Sequence, residues 1–418
     1  MTITSTRIRV GYKQWALSTL LLLTVAATGC TTWAQWGFGA GHAGYNPNET
    51  TLGPANVAGL ELRWSQTTIG QFGGSSPLAA NGLVFTPPKE FGISSCCITL
   101  MWGYGATTGT AERGVSSRDW PESPTCAPNR VPAVVGTTMY VPSSPFQAIA
   151  VGTGYPIWEY RPAVQAPAAA TRDLSCSSVT VDDQTLVERG DYSSLDANGL
   201  VLEHRDLVAL DARTGTARWT VDTGERASFG DAPAIAGGLV YVMVTQADQS
   251  HQLKAFDEGD GTSRWSRPVA SFEQPVVSGG TVYVNGPSGV AAFNATTGTP
   301  TWTRPDVAVS GAGLAVANGT VYVPQAGGAG LVALDSSTGA TRWTRSVPVD
   351  ATSKPAVANG VVYVGGSDSK LYALNALTGI VLAALPTPAA VGTSPIVAGG
   401  WVYVSSDDGT LSAFGLPA

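Results

Sequence analysis

A short alternation of apolar and polar residues recurs along most of the chain. Each copy has Ala-Asn-Gly or Ala-Gly-Gly, an apolar Val-Tyr-Val stretch, a second apolar stretch ending in Asp or Asn, and then Thr-Gly. Alternation with a period of two predicts β-strands joined by tight turns. Between the first and last recurring glycine, six intervals span 270 residues, a mean period of 45 residues. That period predicts one four-stranded blade of a β-propeller per copy. The recurring glycines are Gly109, Gly154, Gly215, Gly261, Gly298, Gly339 and Gly379.

The number of blades follows from counting the Val-Tyr-Val strands, of which we predict eight. The last copy stops before its fourth strand, whereas the segment from Leu60 to Trp64 has the pattern of a fourth strand with no blade before it. We therefore predict an all-β fold, an eight-bladed β-propeller of four-stranded antiparallel blades over residues 56–418. An N-terminal strand would complete the last blade and close the ring, which leaves no sheet edge open. The strands counted begin near Leu83, Met139, Leu200, Val240, Val282, Val321, Val362 and Val402.

The best copies carry a tryptophan four positions after the recurring glycine. The glycine supplies the positive φ of a tight turn, and the Asp or Asn before it accepts hydrogen bonds from the backbone of that turn. The large indole is expected to lie across the junction with the adjacent blade and not to stack on a ligand. Arg113 and Ala383 replace the tryptophan in two copies. The structural docking tryptophans that we predict are Trp64, Trp158, Trp219, Trp265, Trp302 and Trp343.

The first thirty residues have the pattern of an export signal. Basic residues precede a short apolar run that includes four consecutive leucines and ends in small residues, too short to span a bilayer comfortably. The run closes on Ala27-Thr28-Gly29-Cys30, which resembles a bacterial lipobox whose cysteine receives a diacylglycerol. We predict a lipoprotein signal peptide at 1–29, lipidation of Cys30, and a lipid-anchored segment at 30–55. The alternative is a soluble secreted protein with an incidental cysteine.

The composition narrows the possible functions. The chain has 418 residues, 44% apolar and 13% charged, with a net charge of −7, so it is not a disordered chain. Removal of residues 1–29 leaves 20 basic and 30 acidic residues, a net charge of −10. An acidic body without a basic run disfavours a nucleic-acid surface, and any anchorage to anionic lipid has to come from acyl chains. Three scattered histidines disfavour a zinc site or a Ser-His-Asp triad.

The repeat resembles that of the pyrroloquinoline quinone (PQQ) repeat family, whose docking motif reads Ala-x-Asp-x-x-x-Gly-x-x-x-Trp. The resemblance covers about residues 33–418, including Trp36, Gly39, and Tyr45-Asn46-Pro47 near the start. One branch of the family comprises dehydrogenases that hold PQQ with a calcium ion. The other comprises non-catalytic lipoproteins, among them the propeller subunit of the outer-membrane β-barrel assembly machinery. The dehydrogenase branch implies a vicinal disulfide, a stacking Trp, a Glu-Asn-Asp calcium set, a catalytic Asp and an Arg. Cys96-Cys97 matches the disulfide but lies after Phe85 instead of just ahead of an inner strand, and no Glu-Asn-Asp set is found.

Four cysteines follow Cys30, namely Cys96, Cys97, Cys126 and Cys176. An even number in an exported chain predicts two disulfides, with three possible connectivities. Because all four lie where the repeat is least regular, we favour structural bridges, with Cys126 paired to Cys176. A quinone-facing Cys96–Cys97 bridge and free or intermolecular thiols are the alternatives.

The sequence favours a non-catalytic, lipid-anchored extracytoplasmic protein of the cell envelope, monomeric and without a cofactor, that binds a protein or an envelope polymer. The irregular segments from Pro87 to Arg130 and from Arg161 to Asn198 are expected to project as recognition loops. The alternative is a PQQ- and calcium-dependent dehydrogenase with a degenerate site. A hydrolase or lyase with carboxylates in the channel is a third hypothesis.

Overall fold

The computed structural model describes residues 32–67, 76–89, 100–116, 132–141, 146–160, 172–174, 179–195, 201–223, 232–246, 248–270, 273–309, 311, 313–350 and 352–417. In these ranges the regular structure consists of β-strands and two short 3₁₀ segments, Val57–Gly59 and Ala326–Gly328. None of the described residues forms a helix of the length and apolarity that a membrane span requires.

Eight antiparallel sheets form the eight predicted blades, which confirms the fold. Blade 1 has strands Leu78–Ala80, Leu83–Lys89, Leu100–Gly105 and Ala111–Ser116, and blade 2 has Ala133–Val135, Thr138–Val141, Phe146–Ala150 and Pro156–Tyr160. Blade 3 has Thr180–Val181, Thr185–Leu195, Val201–Asp211 and Ala217–Asp222, with Arg172–Leu174 added, and blade 4 has Ala234–Ala236, Leu239–Thr245, His251–Asp257 and Ser263–Val269.

The second half of the chain repeats the same arrangement. Blade 5 has strands Val276–Ser278, Thr281–Gly286, Gly289–Asn294 and Pro300–Arg304, and blade 6 has Ala315–Ala317, Thr320–Pro324, Leu331–Asp335 and Thr341–Arg345. Blade 7 has Ala356–Ala358, Val361–Gly365, Lys370–Asn375 and Val381–Pro386, with Tyr45–Asn46 added in parallel, and blade 8 has Ile396–Ala398, Trp401–Ser405 and Thr410–Gly415.

The fourth strand of blade 8 is Glu61–Thr67, from the other end of the chain. It pairs antiparallel with Thr410–Gly415, with Leu62 opposite Phe414 and Thr67 opposite Thr410. This pairing confirms the predicted closure of the ring.

The core lies between neighbouring blades. The central tyrosine of each Val-Tyr-Val strand is buried, and Tyr241, Tyr363 and Tyr403 are among the largest fully buried side chains. Alternation along a strand places successive side chains against the two adjacent blades, so one apolar strand serves two interfaces.

The disc has two faces, which we name by their connections. The turn face carries the tight turns between the first and second strands and between the third and fourth strands of each blade. The loop face carries the connections between the second and third strands and between successive blades. Asn81-Gly82 and Thr108-Gly109 of blade 1 therefore lie on the turn face.

Blade 3 departs from the sequence prediction. The sequence predicts that its second strand begins near Leu200, which is wrong: that strand is Thr185–Leu195, and Val201–Asp211 is the third. Asn198-Gly199-Leu200 imitates the start of a repeat, whereas the turn actually used, residues 182–184, has Asp-Asp-Gln in its place. Residues 196–200 lie outside the described ranges.

The same hairpin replaces part of a predicted loop. The sequence predicts an irregular segment from Arg161 to Asn198, yet residues 172–174, 180–181 and 185–195 are strands. The hairpin strands have 11 residues each, against 7 in blade 4. Four extra residues at about 3.3 Å each make the hairpin strands roughly 13 Å longer than those of the neighbouring blade, and the additional length extends beyond the loop face.

Candidate functional site: the plugged channel

The segment 33–46 fills the central channel and contacts the first strand of every blade. Backbone hydrogen bonds join Trp33 to Ala79 of blade 1, Ala34 to Val134 of blade 2, Ala40 to Ile235 of blade 4, Gly41 to Val277 of blade 5, Ala43 to Val316 of blade 6 and Gly44 to Val357 of blade 7. Side chains complete the circuit, since Gln35 bonds both backbone groups of Val181 in blade 3 and Asn46 donates to Val397 O in blade 8. We call this segment the channel plug.

The plug supplies hydrogen-bond partners to the inner edges of the blades. The first strand of each blade is an edge strand, and its N–H groups that are not used within the blade face the channel. A buried backbone group without a partner is costly, so each edge needs an acceptor. Small residues allow the plug backbone to approach closely: a Cβ on Gly41 would lie 2.6 Å from Val277 O, and one on Gly44, at φ +65°, would lie 2.9 Å from Pro355 O. The channel is therefore closed by the chain itself.

A lysine lies buried beside the plug. Lys354, which precedes the first strand of blade 7, donates a 2.6 Å hydrogen bond from Nζ to His42 O. The same Nζ lies 3.8 Å from the ring centroid of Trp36, a cation–π geometry. Burial holds the pKa of Lys354 well below its ordinary value, because removal from water penalises the ammonium form.

His42 forms the other half of this centre. Its ring meets Trp36 edge to face at 5.1 Å between centroids, and its Nε2 lies 3.0 Å from Thr180 Oγ1. Burial, and secondarily the nearby Lys354, hold the pKa of His42 well below its ordinary value. Its Nδ1 is buried and has no hydrogen-bond partner among the described residues. The centre packs tightly, and its titratable groups are shielded from solvent.

The chain leaves the channel on the turn face. Glu49 is buried and accepts backbone N–H groups from Thr51 and Leu52 through Oε1 and from Gly400 of blade 8 through Oε2. The Asn359 side chain of blade 7 donates to Leu52 O at 2.9 Å. These bonds fix the segment between the plug and the closing strand across the turns of blades 7 and 8.

A cavity of about 590 Å³ remains open on the turn face between the plug and blades 1 to 3. Its floor includes Thr32, Gln35 and Ala40, and its walls include Asn81 and Asp183. The side-chain amide of Gln35 donates through Nε2 and accepts through Oε1, in both cases with the backbone of Val181. The remaining polar groups of the cavity therefore come chiefly from the blade turns.

The structure places the six predicted tryptophans at blade junctions. Each indole Nε1 donates to a carbonyl in the turn of the next blade around the ring. For five of the six tryptophans, the next blade around the ring is also the next blade along the chain. Trp64 lies in the closing strand of blade 8 and docks on blade 1. The donor and acceptor pairs are Trp64 with Ala106 (3.1 Å), Trp158 with Ala212 (3.1 Å), Trp219 with Glu258 (2.8 Å), Trp265 with Ala295 (2.9 Å), Trp302 with Ser336 (2.9 Å) and Trp343 with Ala376 (3.0 Å).

The replacement of tryptophan by Ala383 has a structural reason. Ala383 lies beside blade 8, where the third strand ends at Gly415 and the fourth begins at Glu61, so no connecting turn exists for an indole to dock on. The 3₁₀ segment Val57–Gly59 packs against the fourth strand of blade 7 there instead. The other copy without a tryptophan has Arg113 in blade 1, and a tryptophan there would dock on the turn of blade 2. In that turn, a Cβ added at Gly154 would find no atom of the described residues within 4 Å.

The predicted lipidation site Cys30 and the four disulfide candidates Cys96, Cys97, Cys126 and Cys176 all lie outside the described residues.

The described part of the channel does not supply the donor set that PQQ with calcium would need. No group of three or more His, Cys, Asp or Glu side chains converges among the described residues. Glu49, the buried carboxylate that follows the plug in the chain, has both oxygens committed to backbone N–H groups. Trp36, His42 and Lys354 pack against one another beside the plug and leave no carboxylate or amide oxygen free there, so this part of the described channel does not fit the quinone and its calcium.

Sequence comparison identifies part of the repeat directly. Residues 286–383 match the PQQ-repeat family model described as outer membrane protein assembly factor BamB. A serine/threonine-protein kinase, AfsK of Streptomyces griseus, is 37% identical over 109 residues, which cover 23% of this chain. The match spans only 13% of the kinase.

Solved structures share the fold at low sequence identity. Quinohemoprotein alcohol dehydrogenase ADHIIG of Pseudomonas putida HK5 has a TM-score of 0.69 at 14% identity, over 92% of this chain and 80% of that one. A europium-containing methanol dehydrogenase has a TM-score of 0.69 at 14% identity, over 92% and 98%. BamB from Moraxella catarrhalis has a TM-score of 0.57 at 16% identity, over 85% and 97%. Identities this low establish the fold alone.

Proposed function

Because the chain is a PQQ-repeat eight-bladed β-propeller, we propose that it is a non-catalytic, lipid-anchored propeller of the cell envelope. It acts outside the cytoplasm, as a monomer, and binds a protein or an envelope polymer. The observation that carries the proposal is the plug, which uses the channel-facing edges of all eight blades for internal hydrogen bonds. A scaffold that closes its own channel has its faces and loops left for recognition.

The blade 3 hairpin is the recognition element that we propose. It extends from the loop face on a sheet of five strands, since Arg172–Leu174 pairs with residues 190–192 of the hairpin. Paired strands, one of which has a further strand beside residues 190–192, hold their shape better than an unsupported loop, which reduces the ordering cost of binding. Replacement of residues 191–205 by a two-residue Asn-Gly turn removes the projection and leaves the pairing of residues 185–190 with 206–211.

Catalysis and scaffolding make opposite predictions for the purified chain. We expect the protein, incubated with PQQ and calcium, to show neither tight binding of the quinone nor dye-linked oxidation of alcohols. Saturable oxidation would overturn the proposal in favour of a dehydrogenase.

Binding is tested by co-sedimentation with isolated peptidoglycan and by cross-linking in cells followed by mass spectrometry. The shortened hairpin variant should lose the polymer or the cross-linked protein that the unaltered chain retains, while its unfolding transition stays cooperative. Retention of every ligand by that variant would remove the hairpin from the proposal. Substitution Cys30→Ser should release the protein from the membrane fraction, and continued membrane association would contradict the lipid anchor.

A further inference from the structure

We propose that one half of the turn face, formed by blades 7, 8, 1 and 2, rests on the lipid surface, so that the propeller sits tilted on its membrane. This inference rests on the lipid anchor of the proposed function. It assigns the occupant of an exposed apolar surface, a bilayer interface, and gives the loop face with its hairpin an outward orientation.

The first argument is where the chain enters the propeller. Trp33 pairs antiparallel with Ala79, so the chain runs into the channel from the turn face at this point. Thr32 lines the turn-face cavity together with the turn residues Asn81 and Gly82. Only Thr31 separates Thr32 from Cys30. Two residues span at most about 7 Å, so a lipid on Cys30 holds this face against the bilayer without a linker.

The second argument is the location of the exposed apolar side chains. All the large ones among the described residues lie in a turn between third and fourth strands or in the first two residues of a fourth strand, and therefore near the turn face. They belong to blades 2, 7 and 8. A bilayer interface accepts Tyr, Leu and Ile side chains without the cost of exposing them to water. These residues, with their exposed fractions, are Leu62 (51%), Tyr155 (74%), Ile157 (51%), Leu377 (78%), Ile380 (55%) and Val381 (37%).

The third argument is the distribution of charge on the same face. In blades 7, 1 and 2, the turns at residues 375–380, 106–110 and 151–155 contain no charged residue, and the one exposed acid at the start of their fourth strands is Glu112 of blade 1. On the other side of the ring, the turns of blades 3, 4 and 6 hold seven acidic residues and one basic residue, Arg213, while the blade 5 turn at residues 294–299 is uncharged. Arginines of the adjoining strands pair with three of the acidic residues, so a net negative charge remains on this side, which an anionic lipid surface repels. This asymmetry sets the direction of the tilt. The acidic residues are Asp182, Asp183, Asp211, Asp257, Glu258, Asp260 and Asp335.

Blade 8 shows how a charged pair is accommodated in the apolar half. Glu61 and Arg63 flank Leu62 at the start of the closing strand, with 4.0 Å between Oε2 and Nη1. Both side chains are long enough to keep their charged groups at the headgroup level while Leu62 enters the interface.

Photo-cross-linking in the full membrane-anchored chain tests the orientation. The photoreactive residue p-benzoylphenylalanine replaces Leu377 or Tyr155 in the apolar half, with two controls. Thr296 occupies the position in the blade 5 turn that Leu377 occupies in blade 7, and Ser288 lies on the loop face. We expect phospholipid adducts from positions 377 and 155 and at least a fivefold lower yield from 296 and 288.

Two further measurements separate this inference from the lipid anchor. Incorporation of labelled fatty acid into the unaltered chain but not into Cys30→Ser establishes acylation by itself. In a second arm, the chain from residue 30 carries an N-terminal polyhistidine tag and is bound to phosphatidylcholine vesicles containing a nickel-chelating lipid. Adducts confined to 377 and 155 in either arm support the docking surface. Equal yields at all four positions, or none in an acylated protein, would refute it while the anchor stands.

Discussion

A matched pair of glycines in blade 6 isolates the energy of tryptophan docking. Gly339 and Gly319 both have φ of +72°, and both lie in turns on the same face of the same blade. A Cβ at Gly339 would lie 2.7 Å from Cε3 and 2.8 Å from Cδ2 of Trp302. A Cβ at Gly319 would find its nearest neighbours at 3.8 Å, on Arg342 and Ser336. The two Ala variants therefore share backbone strain and differ in the contact with the indole.

The magnitudes follow from these distances. An alanine held at positive φ costs about 1–2 kcal/mol, so Gly319→Ala should lower the free energy of unfolding by that amount. Gly339→Ala adds overpacking of about 1–3 kcal/mol against a ring that is 9% exposed. Displacement of that ring also breaks the 2.9 Å bond from Trp302 Nε1 to Ser336 O, about 1 kcal/mol more. We expect Gly339→Ala to be less stable than Gly319→Ala by about 2–4 kcal/mol.

Isothermal urea denaturation followed by tryptophan fluorescence measures this difference, with calorimetry to establish that the transition is cooperative. A second pair of variants carries each Ala substitution in a Trp302→Ala background, where the indole is absent. There the two glycine variants should become equally costly. Equal losses already in the presence of Trp302, or a difference that persists without it, would refute the docking account.

Two further predictions concern the plug and its exit. Because the pKa of His42 is lowered in the folded state, the unfolded chain binds the extra proton below about pH 6.5, so stability falls as the pH drops through that range, by at most about 1.4 kcal/mol per pH unit. His42→Asn, which tolerates the φ of +56°, should flatten the pH profile of the denaturation midpoint, and an unchanged slope would contradict this. Glu49→Ala removes the acceptor of three backbone N–H groups, two of them buried, and should cost about 3–5 kcal/mol in urea denaturation. Glu49→Gln keeps one acceptor oxygen, which can serve Thr51 and Leu52 but not Gly400, so it should cost less than Ala. A loss as large as that of Ala would contradict the hydrogen-bond explanation.

The blade number and the closure of the ring follow from the sequence because the repeat expresses local chemistry. Turn glycines, alternating apolar residues and the docking tryptophan each depend on near neighbours or on the next copy of the same unit. The prediction fails at Leu200 of blade 3 because the true turn of that blade lacks glycine, whereas Asn198-Gly199 imitates one. The alternation of Thr185-Leu186-Val187 is the pattern that could have corrected it.

The plug could not be predicted in the same way. Its bonds join a segment near the start of the chain to strands as far away as residue 397, and no repeat encodes them. One local indication was present. Residues 37–44, Gly-Phe-Gly-Ala-Gly-His-Ala-Gly, are almost all small, which is typical of a backbone that must approach others closely. Lys354 gave no such indication, since its neighbours in sequence are polar or small and its contacts are all long-range.

The order of contacts along the plug bears on how the protein is assembled. From Trp33 to Asn46, successive plug residues meet blades 1 to 8 in the order in which the chain supplies them. A nascent chain that keeps this segment in place offers the first strand of each newly made blade a hydrogen-bonding partner. The blades then assemble around the plug in the order of their synthesis. The closing strand waits longest, because Glu61–Thr67 acquires its neighbour only when residues 410–415 arrive. Until then the edge of Glu61–Thr67 that pairs with residues 410–415 has no partner, and we expect aggregation during biogenesis to begin there.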